Sequence, residues 1–150
     1  DAPLGGGGLM AGTSLAVKTL SPQTAVVGVE PAGFDDTLRS LQKGERIVTR
    51  PTTRSLCDAL ESPAPGELTF PILQKTVADV AVVTDAEVAE AMRYAFSVLK
   101  LVVEPGGSVG LAALLAGKAT DFGGEGATAL VLSGGNVDPE LFAKVLRKEY

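Results

Sequence analysis

Gly5-Gly6-Gly7-Gly8-Leu9-Met10-Ala11-Gly12 limits this chain more than any other stretch. Four consecutive glycines put no Cβ between the backbone amides and an approaching anion. The residues that follow, among them Leu9, Met10, Leu15, Val17 and Leu20, are apolar and read as a helix. A helix start offers unpaired N–H groups and the positive end of a dipole. Glycines leading into such a helix make a phosphate cradle. The other meaning of a glycine run is a flexible linker, but linkers lie among Ser and Glu rather than among Leu and Val.

The rest of the composition narrows the field. The chain has 150 residues, of which 45% are hydrophobic and 21% charged, enough for one domain with a real core and too apolar for disorder. A net charge of −5 with no run of Lys or Arg argues against a nucleic-acid partner. No apolar stretch reaches membrane-spanning length, and no signal peptide is visible, although the sequence does not start with Met. Cys57 is the single cysteine, so no internal disulfide forms and a reducing, cytoplasmic setting is expected. Histidine is absent, which removes imidazole acid–base chemistry and leaves the work to a cofactor or to other groups.

Taken in order, strands and helices alternate, which predicts an α/β fold with an open, mostly parallel sheet flanked by helices. The first helix runs from Leu9 to Leu20 with Leu9, Thr13, Ala16 and Leu20 on one stripe, and Ser21-Pro22 ends it. Thr24 to Val29 reads as a buried strand, and Phe34, Leu38 and Leu41 as the apolar face of a short helix stopped at Gly44. Thr52 to Leu60 reads as a helix after Pro51, and Glu67 to Gln74 as a short helix broken by Pro71. Val77 to Val83 is a strand. Thr84-Asp85-Ala86-Glu87 is a capping box for a helix with Val88, Met92, Ala95, Phe96 and Leu99 in the core. Leu101 to Val103 and Ala127 to Leu132 are further strands, with a helix from Val109 to Ala116 closed by Gly117 and a surface loop from Asp121 to Gly126. Asp138 caps a final helix that Pro139 opens, its inner face Val137, Leu141, Val145 and Leu146.

Three glycine-rich loops, at Gly5 to Gly8, Gly106-Gly107 and Gly134-Gly135, lie at element ends and converge on one sheet edge in this reading. They describe a small-ligand site for an anionic group, with no acid, base or nucleophile of its own. Cys57 reads as a packed residue rather than a nucleophile. After the Val29 strand, Glu30 and Asp36 have two readings. They share a cation with the Phe34 carbonyl, or they are solvated while Asp35 caps the next helix. Spacing alone favours the solvated pair.

Taken together, these segments resemble the C-terminal half of the fold-type II pyridoxal-phosphate enzymes, in the threonine dehydratase and serine racemase group. The resemblance rests on Gly5 to Gly12, Val29-Glu30-Pro31 with Asp35-Asp36, Thr84 to Glu87, Val103 to Gly110, and Leu132-Ser133-Gly134-Gly135-Asn136-Val137, in the family's order. It implies that Gly5, Gly6, Gly7 and Gly8, with the amides of Leu9 and Met10, hold the phosphate of pyridoxal 5'-phosphate. By the same resemblance Ser133, followed by Gly134, hydrogen-bonds the pyridine nitrogen, and Glu104 lies beside the ring. Glu30, Asp36 and the Phe34 carbonyl match a divalent-cation site for Mg2+, Mn2+ or Ca2+, which turns the balance toward the cation.

The implied reaction is β-elimination from threonine, serine or 3-hydroxyaspartate to a keto acid and ammonia, by a parent protein that is a homodimer. Serine racemisation is the alternative, and a non-catalytic module for pyridoxal phosphate or another phosphate ligand is a third. A nucleotide-binding α/β domain lacks its G-x-G-x-x-G fingerprint here. The family's Schiff-base lysine lies N-terminal to the glycine loop, and no lysine of this chain occupies that position. Residues 1–150 are therefore expected to be a single cofactor-binding domain, the C-terminal part of a longer enzyme. Relatives in the family commonly carry an Ala-Asp-Gly sequence beside the cofactor where this chain has Leu56-Cys57-Asp58-Ala59-Leu60, with Ala59 in place of Gly, and no isoleucine-binding regulatory domain is expected after the last helix.

Overall fold

The computed structural model describes residues 1–119 and 126–150. Strands β1 (Ala2–Pro3), β2 (Val27–Pro31) and β3 (Asp79–Val83) form a parallel sheet in the order β1-β2-β3. Parallel neighbours need long crossovers, and helices supply them: α1 (Gly8–Leu20) between β1 and β2, α2 (Asp36–Lys43) and α3 (Phe70–Thr76) between β2 and β3. Helices α4 (Asp85–Tyr94), α5 (Pro105–Leu115) and α6 (Pro139–Leu146) follow. All of β2 is buried, as expected for a strand covered on both faces. Gly28 is required within it, because a Cβ there would lie 2.5 Å from Cδ2 of the fully buried Leu4.

Two apolar clusters hold the layers together. Val29 and Val83 of the sheet meet Val88 and Met92 of α4, Val109 and Ala112 of α5, and Val145 of α6 in one. Leu4, Met10, Val26, Leu73 and Val80 form the other under α1 and α3. The capping box of α4 is complete: the Glu87 amide donates to Thr84 Oγ1 at 3.3 Å and the Thr84 amide to Glu87 Oε2 at 2.7 Å. Arg93 ties α4 to α6 by donating to the Val145 carbonyl. Among the described residues no helix is long and apolar enough to cross a membrane.

Several elements depart from the sequence reading. The buried face of α1 is Met10, Ala11 and Ser14, and Leu9 and Leu20 point outward, because α1 packs on α3 through a hydroxyl pair, Ser14 with Thr76 at 2.7 Å. Thr52 to Leu60 is not a helix but a loop with one 3-10 turn at Asp58–Leu60, held by side chains rather than by a helical ladder. Pro71 does not break a helix; it sits in the first turn of α3, where its missing N–H is not needed. Helix α5 starts at Pro105 and takes in Gly106 and Gly107. Neither Leu101 to Val103 nor Ala127 to Leu132 is a strand of the sheet. Residues 129–131 instead exchange two backbone hydrogen bonds with Asp1. Phe96 and Leu99 are about two-fifths exposed rather than core, because α4 runs on as a π-helical turn, Ala95–Leu99. Phe96 meets the edge of Phe142 at 5.4 Å. The surface loop expected from Asp121 lies almost wholly outside the described residues.

Two glycines of the opening motif, Gly8 and Gly12, have no steric role. A Cβ on Gly12, within α1, meets nothing within 4 Å. Gly12→Ala is expected to raise stability by about 0.5–1 kcal/mol through helix propensity, read as a higher urea midpoint at unchanged slope. A lower midpoint would contradict this open placement.

Candidate functional site

The three glycine-rich loops do meet. A cavity of about 220 Å³ is lined by Gly5 to Met10, by Ala59 and Leu60, by Glu104 and Gly106, and by Ser133. The glycine loop is shaped from behind. The Gly6 carbonyl accepts from the Gly66 amide at 3.0 Å and from Thr69 Oγ1 at 2.8 Å, and the Gly7 carbonyl accepts from the Ala11 amide. Gly7 has φ 90°, and a Cβ there would lie 2.8 Å from Thr69 Oγ1, so both conformation and space demand glycine. No side chain caps α1. The amides of Gly8, Leu9 and Met10, in its first turn, have no helical acceptor and are available to an anion.

The opposite wall is equally constrained. The Glu104 amide donates to the Gly134 carbonyl at 3.0 Å, and Glu104 Oε2 accepts from the Asn136 amide at 2.9 Å. The Asn136 amide thus holds the Glu104 carboxylate against Gly134, where an added Cβ would lie 2.5 Å from Glu104 Cδ and Oε1. Behind the Ser133-Gly134 turn, Gly107 of α5 packs on the Gly134 backbone. Ser133 itself is exposed at the cavity. The Glu104, Ser133 and glycine-loop residues expected from sequence are therefore brought together, with Gly134 just behind.

Glu30 and Asp36 are both fully buried, which corrects the solvated reading. Asp35 precedes α2, but its side chain does not cap the helix; it accepts from Arg39 Nε at 2.8 Å. Glu30, reaching from β2, does the capping, its two oxygens accepting from the Thr37 and Leu38 amides at 2.9 Å each. Burial drives the Glu30 carboxyl up to about 8, against the pull of those amides, and neighbouring Asp36 adds repulsion. Burial likewise drives Asp36 up to about 7, and neither of its buried carboxylate oxygens has a hydrogen-bond partner. Two orphaned carboxylate oxygens beside a second buried carboxylate suit a hard cation. Among the described residues no three His, Cys, Asp or Glu side chains cluster around one point, so backbone carbonyls and water would complete such a shell.

Cys57 is fully buried and its thiol is pushed up to about 12 by that burial, which suits a packed residue. Sequence reasoning missed Thr69 and Gly66 as the support of the glycine loop. The only signal was a turn, Pro65-Gly66, followed by a hydroxyl, which by itself names no partner.

The chain is similar to known proteins over most of its length. Residues 2–134 match the family described as pyridoxal-phosphate dependent enzyme. The chain belongs to that family. It is 42% identical over 144 residues to an L-threo-3-hydroxyaspartate ammonia-lyase of Pseudomonas sp, covering 96% of this chain and 44% of that protein. It is 39% identical to a serine racemase of Arabidopsis thaliana, covering 91% and 41%, and 41% identical to an L-threonine ammonia-lyase of Geobacter sulfurreducens, covering 97% and 36%. Among solved structures, a threonine deaminase of T.th. superposes with a TM-score of 0.84 at 44% identity, over 91% of this chain and 45% of that one. Maize serine racemase gives 0.84 at 37% identity, over 98% and 45%. The chain spans less than half the length of these relatives.

Proposed function

We propose that residues 1–150 form the cofactor-holding part of a pyridoxal-phosphate-dependent ammonia-lyase acting on a small hydroxy amino acid such as threonine, serine or 3-hydroxyaspartate. The observation that carries the reading is the meeting of an uncapped helix start, a fixed carboxylate and a serine hydroxyl around one cavity. The amides from Gly5 to Met10 would hold the cofactor phosphate. When bound, the cofactor supplies an electron sink for the charge that develops at the substrate α-carbon. The Ser133 hydroxyl would hydrogen-bond the ring nitrogen. Because it is neutral, it does not keep that nitrogen protonated, which moderates the sink and suits elimination better than transamination. Glu104 would flank the ring, aimed by the Asn136 amide.

The lysine that would carry the cofactor belongs, on this reading, to the half of the relatives' length that the chain does not match. Glu30, Asp36 and the Phe34 carbonyl would hold Mg2+, Mn2+ or Ca2+. The unpartnered oxygens of Asp36 support that site. The parent protein would be a cytoplasmic homodimer, and the lone buried thiol suits a reducing compartment. Serine racemisation is the second reading, favoured by the 39% identity to the Arabidopsis serine racemase.

The test is to incubate the natural protein with pyridoxal phosphate, reduce with borohydride and map the adduct by mass spectrometry. One adduct on a lysine outside residues 1–150 is expected; none, or one on Lys18, Lys75 or another lysine of this chain, would overturn the reading. In the same protein Ser133→Ala is expected to slow elimination by about tenfold or more, the loss of one hydrogen bond made in the reaction. Phosphate anchoring should be unchanged in equilibrium dialysis. Unchanged turnover would remove Ser133 from its role.

A further inference from the structure

One wall of the cavity, Ala59-Leu60, is built from the loop that the sequence reading expected to be helical. It fits tightly between the other two walls. A Cβ on Gly5 would lie 3.2 Å from Leu60 Cα, and one on Gly106 would lie 3.4 Å from Leu60 Cγ and 3.6 Å from Ala59 Cβ. Leu60 is thus wedged between the glycine loop and the start of α5, and a shift of the loop by a few tenths of an ångström would move a cavity wall.

No strand or helix ladder fixes residues 52–57. Two carboxylates take its place. Asp85 Oδ1 accepts from Ser55 Oγ at 2.7 Å and Asp85 Oδ2 from the Leu56 amide at 3.1 Å. Ser55 Oγ in turn accepts from the Cys57 amide at 3.1 Å. From within the loop, Glu61 Oε1 accepts from the Ser55 amide at 2.7 Å, and Glu61 Oε2 pairs with Arg54 Nε at 3.0 Å. Asp85 belongs to the first turn of α4, a helix anchored in the main core and held by its capping box. A carboxylate at that end is also favoured by the helix dipole. The loop is therefore referred to a rigid element through one charged side chain, and charge-assisted hydrogen bonds are the strong ones.

We propose that Asp85, acting through Ser55, is a positioning residue for the cofactor pocket: it fixes the height of the Ala59-Leu60 wall and so the affinity and orientation of the bound cofactor. Asp85 does not line the cavity, and its effect passes through the loop. This rests on the cofactor reading above.

The test uses the natural protein and two readouts. Hydrogen exchange at the Leu56 and Cys57 amides reports the clamp itself. Equilibrium dialysis and absorbance with pyridoxal phosphate report its effect on the pocket. Asp85→Asn is expected to speed exchange at both amides and to weaken pyridoxal-phosphate binding about tenfold, the scale of one charge-assisted hydrogen bond, with a shifted absorbance band. Ser55→Ala should act in the same direction, the double variant should be no worse than Asp85→Asn, and Ser55→Thr, which keeps the hydroxyl, should hold wild-type affinity. Faster exchange with unchanged affinity and spectrum would reduce Asp85 to a structural role and overturn the proposal. Unchanged exchange would remove the clamp. If the unaltered protein binds no pyridoxal phosphate, the cofactor reading fails and this role falls with it. The exchange data would then show that the clamp was not the part at fault.

Discussion

In the presence of a chelator, stability is expected to fall by several kcal/mol as the pH rises from about 5 to about 8, and a divalent cation should flatten that fall. The sign follows from Glu30 and Asp36. Burial holds their folded values up at about 8 and about 7, whereas the unfolded chain releases the same protons near the ordinary carboxylate values of 4.5 and 3.8. Across that window the folded state binds more protons than the unfolded one, so unfolding becomes easier with rising pH. Each unit of difference is worth about 1.4 kcal/mol, so the pair carries a large pH-linked effect. A cation on the Asp36 oxygens and Glu30 replaces the protons, so its affinity should rise with pH and its binding should release them. The check is a series of urea midpoints across pH with EDTA and with Mg2+ or Ca2+. Glu30→Gln should remove much of the pH dependence along with the cation effect. Superimposable profiles with and without cation would leave the two carboxylates as buried acids that serve only the start of α2.

How much of this was legible follows from how local each signal is. The capping box at Thr84 and the left-handed Gly44 after α2 depend on residues within one turn of each other, and both stand where the sequence put them. The glycine loop is legible from its own residues, because glycine beside a helix start has few other uses, whereas Glu104 and Ser133 are indicated only by the family resemblance. What failed was decided at long range. Strand β1 has two residues, too few for any periodicity, and exists because Ala2 and Pro3 pair with Gly28 and Val29 of β2. Residues 52–60 carry helix-compatible residues, but Asp85, in a later helix, takes the Ser55 hydroxyl and the Leu56 amide and sets the loop's path. Helical spacing puts Leu9 on one stripe with Thr13, Ala16 and Leu20, but the partner surface of α1 is α3, and a register that joins Ser14 to Thr76 turns Leu9 outward. Spacing alone favours a solvated Glu30 and Asp36, because burial of a carboxylate is a property of the packed chain and leaves no mark in its neighbours.

Gly107→Ala is expected to damage the site more than any other single methyl group in the described part of the chain. A Cβ at Gly107 would lie 2.8 Å from both the amide nitrogen and the carbonyl oxygen of Gly134, and 3.3 Å from its Cα. All three are backbone atoms, so no rotamer change relieves the clash; either α5 or the Ser133-Gly134 turn must move. Helix α5 is buried over nearly its whole length and packs on α4, so the turn is the element that yields. Its displacement breaks the bond from the Glu104 amide to the Gly134 carbonyl and the bond from the Asn136 amide to Glu104 Oε2, and carries Ser133 out of the cavity. Overpacking of this kind costs about 1–3 kcal/mol or more, and each backbone hydrogen bond lost adds about 1 kcal/mol. The expected result is a clearly lower urea midpoint together with loss of pyridoxal-phosphate binding. Gly8→Ala is the comparison, since a Cβ there meets nothing within 4 Å although Gly8 stands at the start of α1 in the same cavity. It should keep wild-type stability, because the amide that faces the anion is present in alanine as in glycine. If Gly107→Ala and Gly8→Ala behave alike, the close approach of α5 to the Ser133 turn is not what shapes this pocket.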